Sequence, residues 1–380
     1  MSATNQLTQL LADLVAIDSV NPDLVPGAAG EGAIAQFVAD WLAAADIDVE
    51  LDEAAPGRPN VVGIVRGSGG GKSLMLNAHM DVVGVAGMTD PFTPRIANNR
   101  LYGRGAFDMK GSLAACMVVA QRAKAMQLAG DVILTAVVDE EYASIGTASI
   151  IKRWTADAAI VTEPTGLNLC IAHRGFVWLD VETAGIAAHG SRPHLGVDAI
   201  AKMGKVLVEL EALDQALRAN PTHPLLHSGS LHASLISGGQ ELSSYPAHCH
   251  LGVERRTIPG ETPAIVEGQI QAILDRCAAG DPQFKGTVRT TLVRDPFEID
   301  EDAPIVRLLH EKIRSELGHE PTIYGDTPWM DTAILAQASI PAVIFGPTGA
   351  GAHAVEEWVD LTSVAQCADV LTATVAVFCG

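Results

Sequence analysis

The chain has 380 residues, enough for two domains, and 48% of them are hydrophobic, so a large core forms and a disordered chain is excluded. Its formal net charge of -20 argues against nucleic acid and anionic membranes as partners, because both need a basic surface.

Leu7, Leu10, Leu11 and Leu14 recur at helical spacing and predict an amphipathic helix at the N-terminus. That segment has no basic flank and no unbroken apolar stretch, so a secretory signal is not expected. No run approaches the ~18 apolar residues of a membrane span. The six cysteines are scattered and form no C-x-x-C pair, which reads as reduced core thiols in a cytoplasmic protein.

Further along, Val61–Val65 and Ser73–Ala78 are short apolar runs, the second ending at His79. Between them, Arg66–Ser73 reads RGSGGGKS and superficially resembles a phosphate-binding loop. The first glycine of that motif falls on Arg66, and a strand rather than a helix follows, so a Gly-rich turn is expected. Ser112–Ala125 reads as a helix, with Asp131–Val138 and Ala158–Val161 as buried strands. The alternation predicts an α/β domain with a mostly parallel sheet and helices on both faces.

After about residue 175 the rhythm changes to strand 176–183, helix 198–213, strands 230–236 and 248–256, helix 262–278 and strand 287–293. This β-α-β-β-α-β order is that of a ferredoxin-like α+β domain, inserted as 176–295 into a catalytic domain of 1–175 and 296–380. The α/β pattern then resumes with helix 304–317, strand 342–345 and a closing helix 361–377. Hinges between the two domains are expected near 175 and 295.

Five separated places carry His, Asp or Glu near predicted strand ends: His79 with Asp81, Asp108, Glu140 with Glu141, Glu163, and His353. Four of them are expected directly after a buried strand, with Asp108 in a longer loop. Ligands of open α/β sheets bind beyond the carboxyl ends of the strands, so these groups converge on one crevice. Several carboxylates there need compensating positive charge. The tally suits two zinc ions per chain, one held by His79 and Glu163, the other by His353 and Glu141, with Asp108 between them. Cobalt or manganese can occupy such an oxygen-rich site. Asp81, two residues past His79, is placed to orient the imidazole. Glu140 and Glu141 point to opposite sides of an extended backbone, so one can ligate while the other serves as general base; spacing does not say which.

The segments NAHMDVV, GRGAFDMKG, DEE, TEPT, AAHGSRP, ERRTIPGE and GAH together resemble the acetylornithine deacetylase / succinyl-diaminopimelate desuccinylase family of di-zinc metallopeptidases, to which aminoacylases and several carboxypeptidases are related. The resemblance runs from about residue 10 to 375. It implies that Glu140 is the general base and Glu141 the ligand. It implies His79, Asp108 and Glu163 for one metal and Asp108, Glu141 and His353 for the other, with Asp81 supporting His79. The peptide after Asp108 is often cis in that family. His189 matches a lid residue that reaches the partner subunit's active site and stabilises the oxyanion, which implies a homodimer through the inserted domain. Arg256 matches the residue that binds the substrate carboxylate.

Two departures bear on substrate. Ser243 stands where the family often has Asn, and Asp331-Thr332-Ala333 lacks the Arg usual in desuccinylases. The expected activity is metal-dependent hydrolysis of the amide of a small N-acyl amino acid. A carboxypeptidase or dipeptidase, a desuccinylase, and an inactive ligand-binding relative are the alternatives. His223, His227, His232, His248 and His250 read as packing and surface residues of the inserted domain rather than as a second metal site.

Overall fold

The computed structural model describes residues 3–380. It divides into two compact units. The first runs through Ile171 and takes up Ile299–Tyr324 and Met330–Gly380; the second comprises Ala172–Glu298 and Gly325–Trp329.

In the first unit the strands lie in the order Asp48–Ala55, Arg58–Val65, Val132–Val137, Leu74–His79, Ala158–Val161, Ala342–Ile344 and Leu169–His173. Leu74–His79 runs parallel to both of its neighbours, and Ala158–Val161 runs parallel to Ala342–Ile344. The pairings outside this centre are antiparallel. Every residue of Val132–Val137, Leu74–His79 and Ala158–Val161 is buried. A parallel strand covered on both faces has no polar side to show, which is why these runs do not alternate.

The N-terminal helix, Ala3–Val15, buries Leu7, Leu10, Leu11 and Leu14 as their spacing implies. Helix Gly111–Lys124 packs against Leu361–Phe378, which also meets Pro304–Leu317. Asp360 caps Leu361–Phe378 by accepting from Ser363 N at 2.8 Å. Among the described residues this is the one helix long and apolar enough to cross a membrane by length and composition, although polar residues interrupt its apolar run. Half of it is buried, including Val364, Cys367, Leu371 and Val375, as in a core helix.

Arg66–Ser73 is a loop between strands Arg58–Val65 and Leu74–His79, and no helix follows it. Gly67 and Gly71 serve close backbone approach: a Cβ on Gly71 would meet Gly130 N at 2.3 Å. All six cysteines are buried and carry free thiols.

The second unit has the expected β-α-β-β-α-β order. Its antiparallel sheet runs Ser230–Gly238, His248–Thr257, Gly175–Ala184, Gly286–Arg294. Val177, Leu179 and Val181 alternate inward and join Leu251, Val253, Met203, Val206, Ile270 and Leu274 in one core with helices Ala199–Ala219 and Pro263–Gly280. Helix Ala199–Ala219 runs six residues beyond its expected end, through the helix-forming stretch DQALRA, and stops before Pro221.

The unit boundaries fall at 171/172 and 298/299 rather than 175/176 and 295/296. Gly325–Trp329 joins the second unit because Trp329 packs there. Its ring lies 6.2 Å from that of His173 and 5.6 Å from the Arg294 guanidinium, and its Nε1 donates to Asp295 O at 3.1 Å.

Candidate metal centre

Three adjacent parallel strands end on the same side and deliver most of the site. His79 is the last residue of Leu74–His79, Asp139–Glu141 follow Val132–Val137 closely, and Glu163 lies two residues past Ala158–Val161. Asp108 sits in the turn Ala106–Lys110, which leads into helix Gly111–Lys124. The Asp108–Met109 peptide is cis. His353 departs from the expected placement after a buried strand. It lies in a loop beyond the short strand Gly349–Ala350, with a left-handed backbone at φ 61°.

The structure brings together, in two groups, the five residues singled out as metal ligands. His79, Asp108 and Glu163 form one group and Asp108, Glu141 and His353 another, the ligand atoms of each lying within 4.8 Å of one another. Asp108 Oδ1 is 3.0 Å from His79 Nε2, and its Oδ2 is 3.4 Å from His353 Nε2. Glu163 Oε1 lies 3.5 Å from His79 Nε2, and Glu141 Oε2 lies 2.9 Å from His353 Nε2. Glu140 belongs to neither group. The adjacent pair is thus split, with Glu141 inside the cluster and Glu140 beside it.

Crowded negative charge dominates the electrostatics. Burial, reinforced by Asp108, pushes the Glu141 carboxyl up to about 7. Burial also pushes Glu163 up to about 8, with repulsion from Asp108 and Glu141 opposing the pull of His79. Glu140 is raised well above the usual carboxylate range by burial and then by Glu163. Hydrogen bonds that His353 donates to the Asp108 and Glu141 carboxylates hold it up at about 10. Burial lowers His79, but Glu163, Asp108 and Asp81 outweigh it and hold the imidazole well above its ordinary value. Four carboxylates therefore share two imidazoles, an imbalance that divalent cations relieve. Two nitrogen donors and three carboxylates, with one aspartate common to both groups, fit a pair of such ions.

Asp81 meets the imidazole through its backbone as well as its side chain. His79 Nδ1 lies 2.9 Å from the Asp81 backbone carbonyl, which orients the ring and turns Nε2 to the carboxylates. The Asp81 carboxylate stands off at 3.6 Å. It accepts instead from the backbone N–H of Glu140 at 3.1 Å and of Glu141 at 3.2 Å. The backbone N–H groups of the Glu140–Glu141 turn compete with the imidazole for that carboxylate.

Behind Asp81 lies a buried network that sequence reasoning missed. Asn21 Nδ2 donates to Asp81 Oδ2 at 2.8 Å and to Asp139 Oδ1 at 3.0 Å. Arg58 pairs with Asp139 at 2.9 Å and with Glu31. These residues come from separate segments, so only the motif NPD around Asn21 offers a local signal, and it reads as a turn.

His189 and Arg256 lie in the second unit. His189 is exposed, and its Nδ1 is 2.8 Å from Ser191 Oγ. Its segment pairs with the Ser243–Ser244 loop through Gly190 N to Ser243 O at 2.7 Å and Tyr245 N to Ala188 O at 2.9 Å. Arg256 stacks over the Phe176 ring at 5.0 Å and donates through Nε to Glu254 at 2.6 Å. His223 and His250 have local partners: His223 Nδ1 accepts from Leu226 N at 3.1 Å, and His250 Nε2 is 3.1 Å from Asp180. Among the described residues neither they nor His227, His232 and His248 join a metal-binding cluster.

A parallel-centred sheet whose strand ends gather two such groups around one aspartate defines a metal-dependent hydrolase. The sequence profile of peptidase family M20/M25/M40 matches residues 75–377. An acetylornithine deacetylase of Myxococcus xanthus is 32% identical, covering 87% of this chain and 87% of that protein. An N-formyl-4-amino-5-aminomethyl-2-methylpyrimidine deformylase of Bacillus subtilis (strain 168) is 28% identical, covering 98% of this chain and 95% of that one. Among solved structures, a tripeptidase of Staphylococcus aureus superposes with a TM-score of 0.80 at 21% identity, covering 99% of this chain and 98% of the other. A dinuclear metal-binding peptidase of the M20 family from Bacillus subtilis superposes with a TM-score of 0.78 at 15% identity, covering 99% and 98%. The chain belongs to peptidase family M20/M25/M40. It is a hydrolase acting on amide bonds.

The network behind the site makes a stability prediction. Arg58→Met leaves the Glu31 and Asp139 carboxylates buried without their cation, which is expected to cost about 3–5 kcal/mol. Urea unfolding of the metal-free protein measures it; an unchanged midpoint would mean that the two carboxylates do not depend on Arg58.

Proposed function

We propose that this chain removes a small acyl group from the amine of an N-acyl amino acid, as an acetylornithine deacetylase does, with two zinc ions as cofactors. The observation that carries the reading is Asp108, which presents one carboxylate oxygen to His79 and the other to His353. His79, Asp108 and Glu163 are the residues for one cation, and Asp108, Glu141 and His353 for the other. When bound, such a pair supplies Lewis acidity and lowers the pKa of water toward ~7.

Glu140 is the general base. It stands beside the ligand groups, and its backbone N–H is pinned by Asp81 at 3.1 Å. Burial and the Glu163 charge raise its carboxyl well above the usual carboxylate range, the direction that suits a group that takes and returns a proton. It accepts a proton from the attacking water and delivers it to the amine nitrogen as the C–N bond breaks. His189 is assigned to the developing oxyanion and Arg256 to the substrate carboxylate, whose geometry suits a guanidinium.

The Myxococcus xanthus and Bacillus subtilis relatives are named for removing an acetyl and a formyl group, which supports a small acyl substituent. The absence of an Arg after Asp331 speaks against a succinyl group. A homodimer through the second unit is part of the same reading. Its edge strand Ser230–Gly238 exposes Leu235 and Ile236, and helix Ala199–Ala219, which packs on that strand, exposes Ile200 and Val208. Six buried free thiols suit a reducing cytoplasm.

Three measurements test the proposal. Zinc-loaded protein is offered N-acetylornithine, other N-acetyl amino acids, an N-formyl amine, succinyl-diaminopimelate and dipeptides. Cleavage of an N-acetyl amino acid, lost with a chelator and restored by zinc, is expected; turnover of dipeptides alone would replace the deacylase reading by a peptidase one. Glu140→Gln is expected to lower kcat by ~10²–10⁴ with metal content intact; near-wild-type turnover would remove Glu140 from the base role. Light scattering is expected to give twice the chain mass, falling to one chain in Leu235→Glu; a monomeric wild type would reject the dimer.

A further inference from the structure

Two of the three residues of the second ligand group come from segments that the central sheet does not carry. Asp108 sits in the turn Ala106–Lys110 and His353 in the loop after Gly349–Ala350. His79 and Glu163, by contrast, lie at the ends of buried parallel strands. What holds the turn and the loop against each other is the side chain of Glu357, four residues past His353 and almost wholly buried at 1% exposure.

Both oxygens of Glu357 are spent on the turn. Oε1 accepts from Phe107 N at 2.9 Å and Asp108 N at 3.0 Å; Oε2 accepts from Gly105 N at 3.0 Å and Arg104 Nη1 at 2.7 Å. Arg104 returns the connection, its Nη2 donating to Ala354 O at 2.9 Å, beside His353, and to Gly84 O at 3.2 Å. The loop is closely folded on itself, since a Cβ on Gly351 would meet Glu356 O at 1.9 Å. The Gly349–Ala350 strand lies against the Phe107 ring, where a Cβ on Gly349 would come within 2.4 Å.

The chemistry of this contact is specific to a carboxylate. An irregular turn leaves backbone N–H groups without the partners that a helix or sheet provides, and buried donors need acceptors. A carboxylate is acceptor-only, with two oxygens that can each take two donors. Glutamine offers one oxygen, and its NH₂ would face N–H groups.

We infer that Glu357, paired with Arg104, is a positioning residue for the metal centre: it sets Asp108 against His353 and thereby builds the second cation position. The inference rests on the two-cation reading above. It predicts an asymmetry between the two positions, because the clamp supports one residue of the first group, Asp108, but two of the second, Asp108 and His353.

The test is calorimetric titration of metal-free protein with zinc, in competition with a chelator, for wild type, Glu357→Gln and His353→Ala. The wild type is expected to bind two equivalents. Glu357→Gln is expected to lose about 10–100-fold in affinity for one of them, and that step is the one lost in His353→Ala. Glu357→Asp, which keeps the charge, is expected to recover part of the loss. Thermal melting of the metal-free proteins by circular dichroism separates this from unfolding. Should Glu357→Gln not fold, Arg104→Lys is titrated instead; it keeps a cation for Glu357 but gives up the planar reach to Ala354 O, and the same step is expected to weaken. Two wild-type affinities in a folded Glu357→Gln, or in Arg104→Lys where that variant stands in, overturn the inference alone. A wild type that takes up a single equivalent overturns the two-cation reading and the inference with it.

Discussion

One carboxylate between two imidazoles organises the catalytic unit. Asp108 gives Oδ1 to His79 and Oδ2 to His353, and each imidazole then faces a glutamate of its own, Glu163 or Glu141. Bringing that much negative charge into a buried crevice is unfavourable unless cations balance it. The raised carboxyls of Glu141 and Glu163 express that cost. The fold meets it with stiff supports. Parallel strands buried on both faces fix His79, Glu163 and the start of the Glu140–Glu141 turn, because their backbone groups are satisfied on either side within the sheet.

Around that centre lie two layers of buried polar contacts with different tasks. Asp81 and Asn21 hold the backbone of the Glu140–Glu141 turn, with Asp139 and Arg58 beneath them. Glu357 and Arg104 hold the turn that carries Asp108. In both layers a carboxylate accepts from irregular backbone; Arg104 compensates Glu357 directly, whereas Asp81 is tied through Asn21 to Asp139, which pairs with Arg58. Such contacts restrict the site to one arrangement, since moving either segment would orphan several buried donors at once.

Family and reaction class follow from shared features, while substrate depends on features that differ among relatives. The acetyl- and formyl-removing relatives and the structurally similar peptidases cover nearly the same length of chain. The scaffold therefore serves several amide substrates, and choice among them falls to residues outside the ligand groups. In the second unit Ser243 is paired to the His189 segment through a backbone hydrogen bond, and His189 and Arg256 are assigned to substrate in the proposed function.

Much of this was legible in the residues themselves. Apolar runs such as ILTAV and AAIV read as buried strands because a parallel sheet hides both faces, and acidic or imidazole groups just beyond such strands point to a common crevice. The acidic edge strand Asp48–Ala55 was not legible: DVELDEAA has little strand propensity and is formed by pairing with Arg58–Val65. Helix Gly32–Ala44 was missed for a related reason, its mostly apolar sequence giving no clear polar face. By itself the sequence determined the alternation of elements, the inserted β-α-β-β-α-β segment and the identity of the groups available as ligands, since these are written in local periodicity and spacing. Only the tertiary structure decided that Glu141 rather than Glu140 joins the cluster, that the Asp81 carboxylate holds a backbone turn while its carbonyl orients the imidazole, and that Glu357 meets Asp108. Those outcomes depend on hydrogen bonds between residues up to 249 positions apart, and nothing in a local pattern encodes such a meeting.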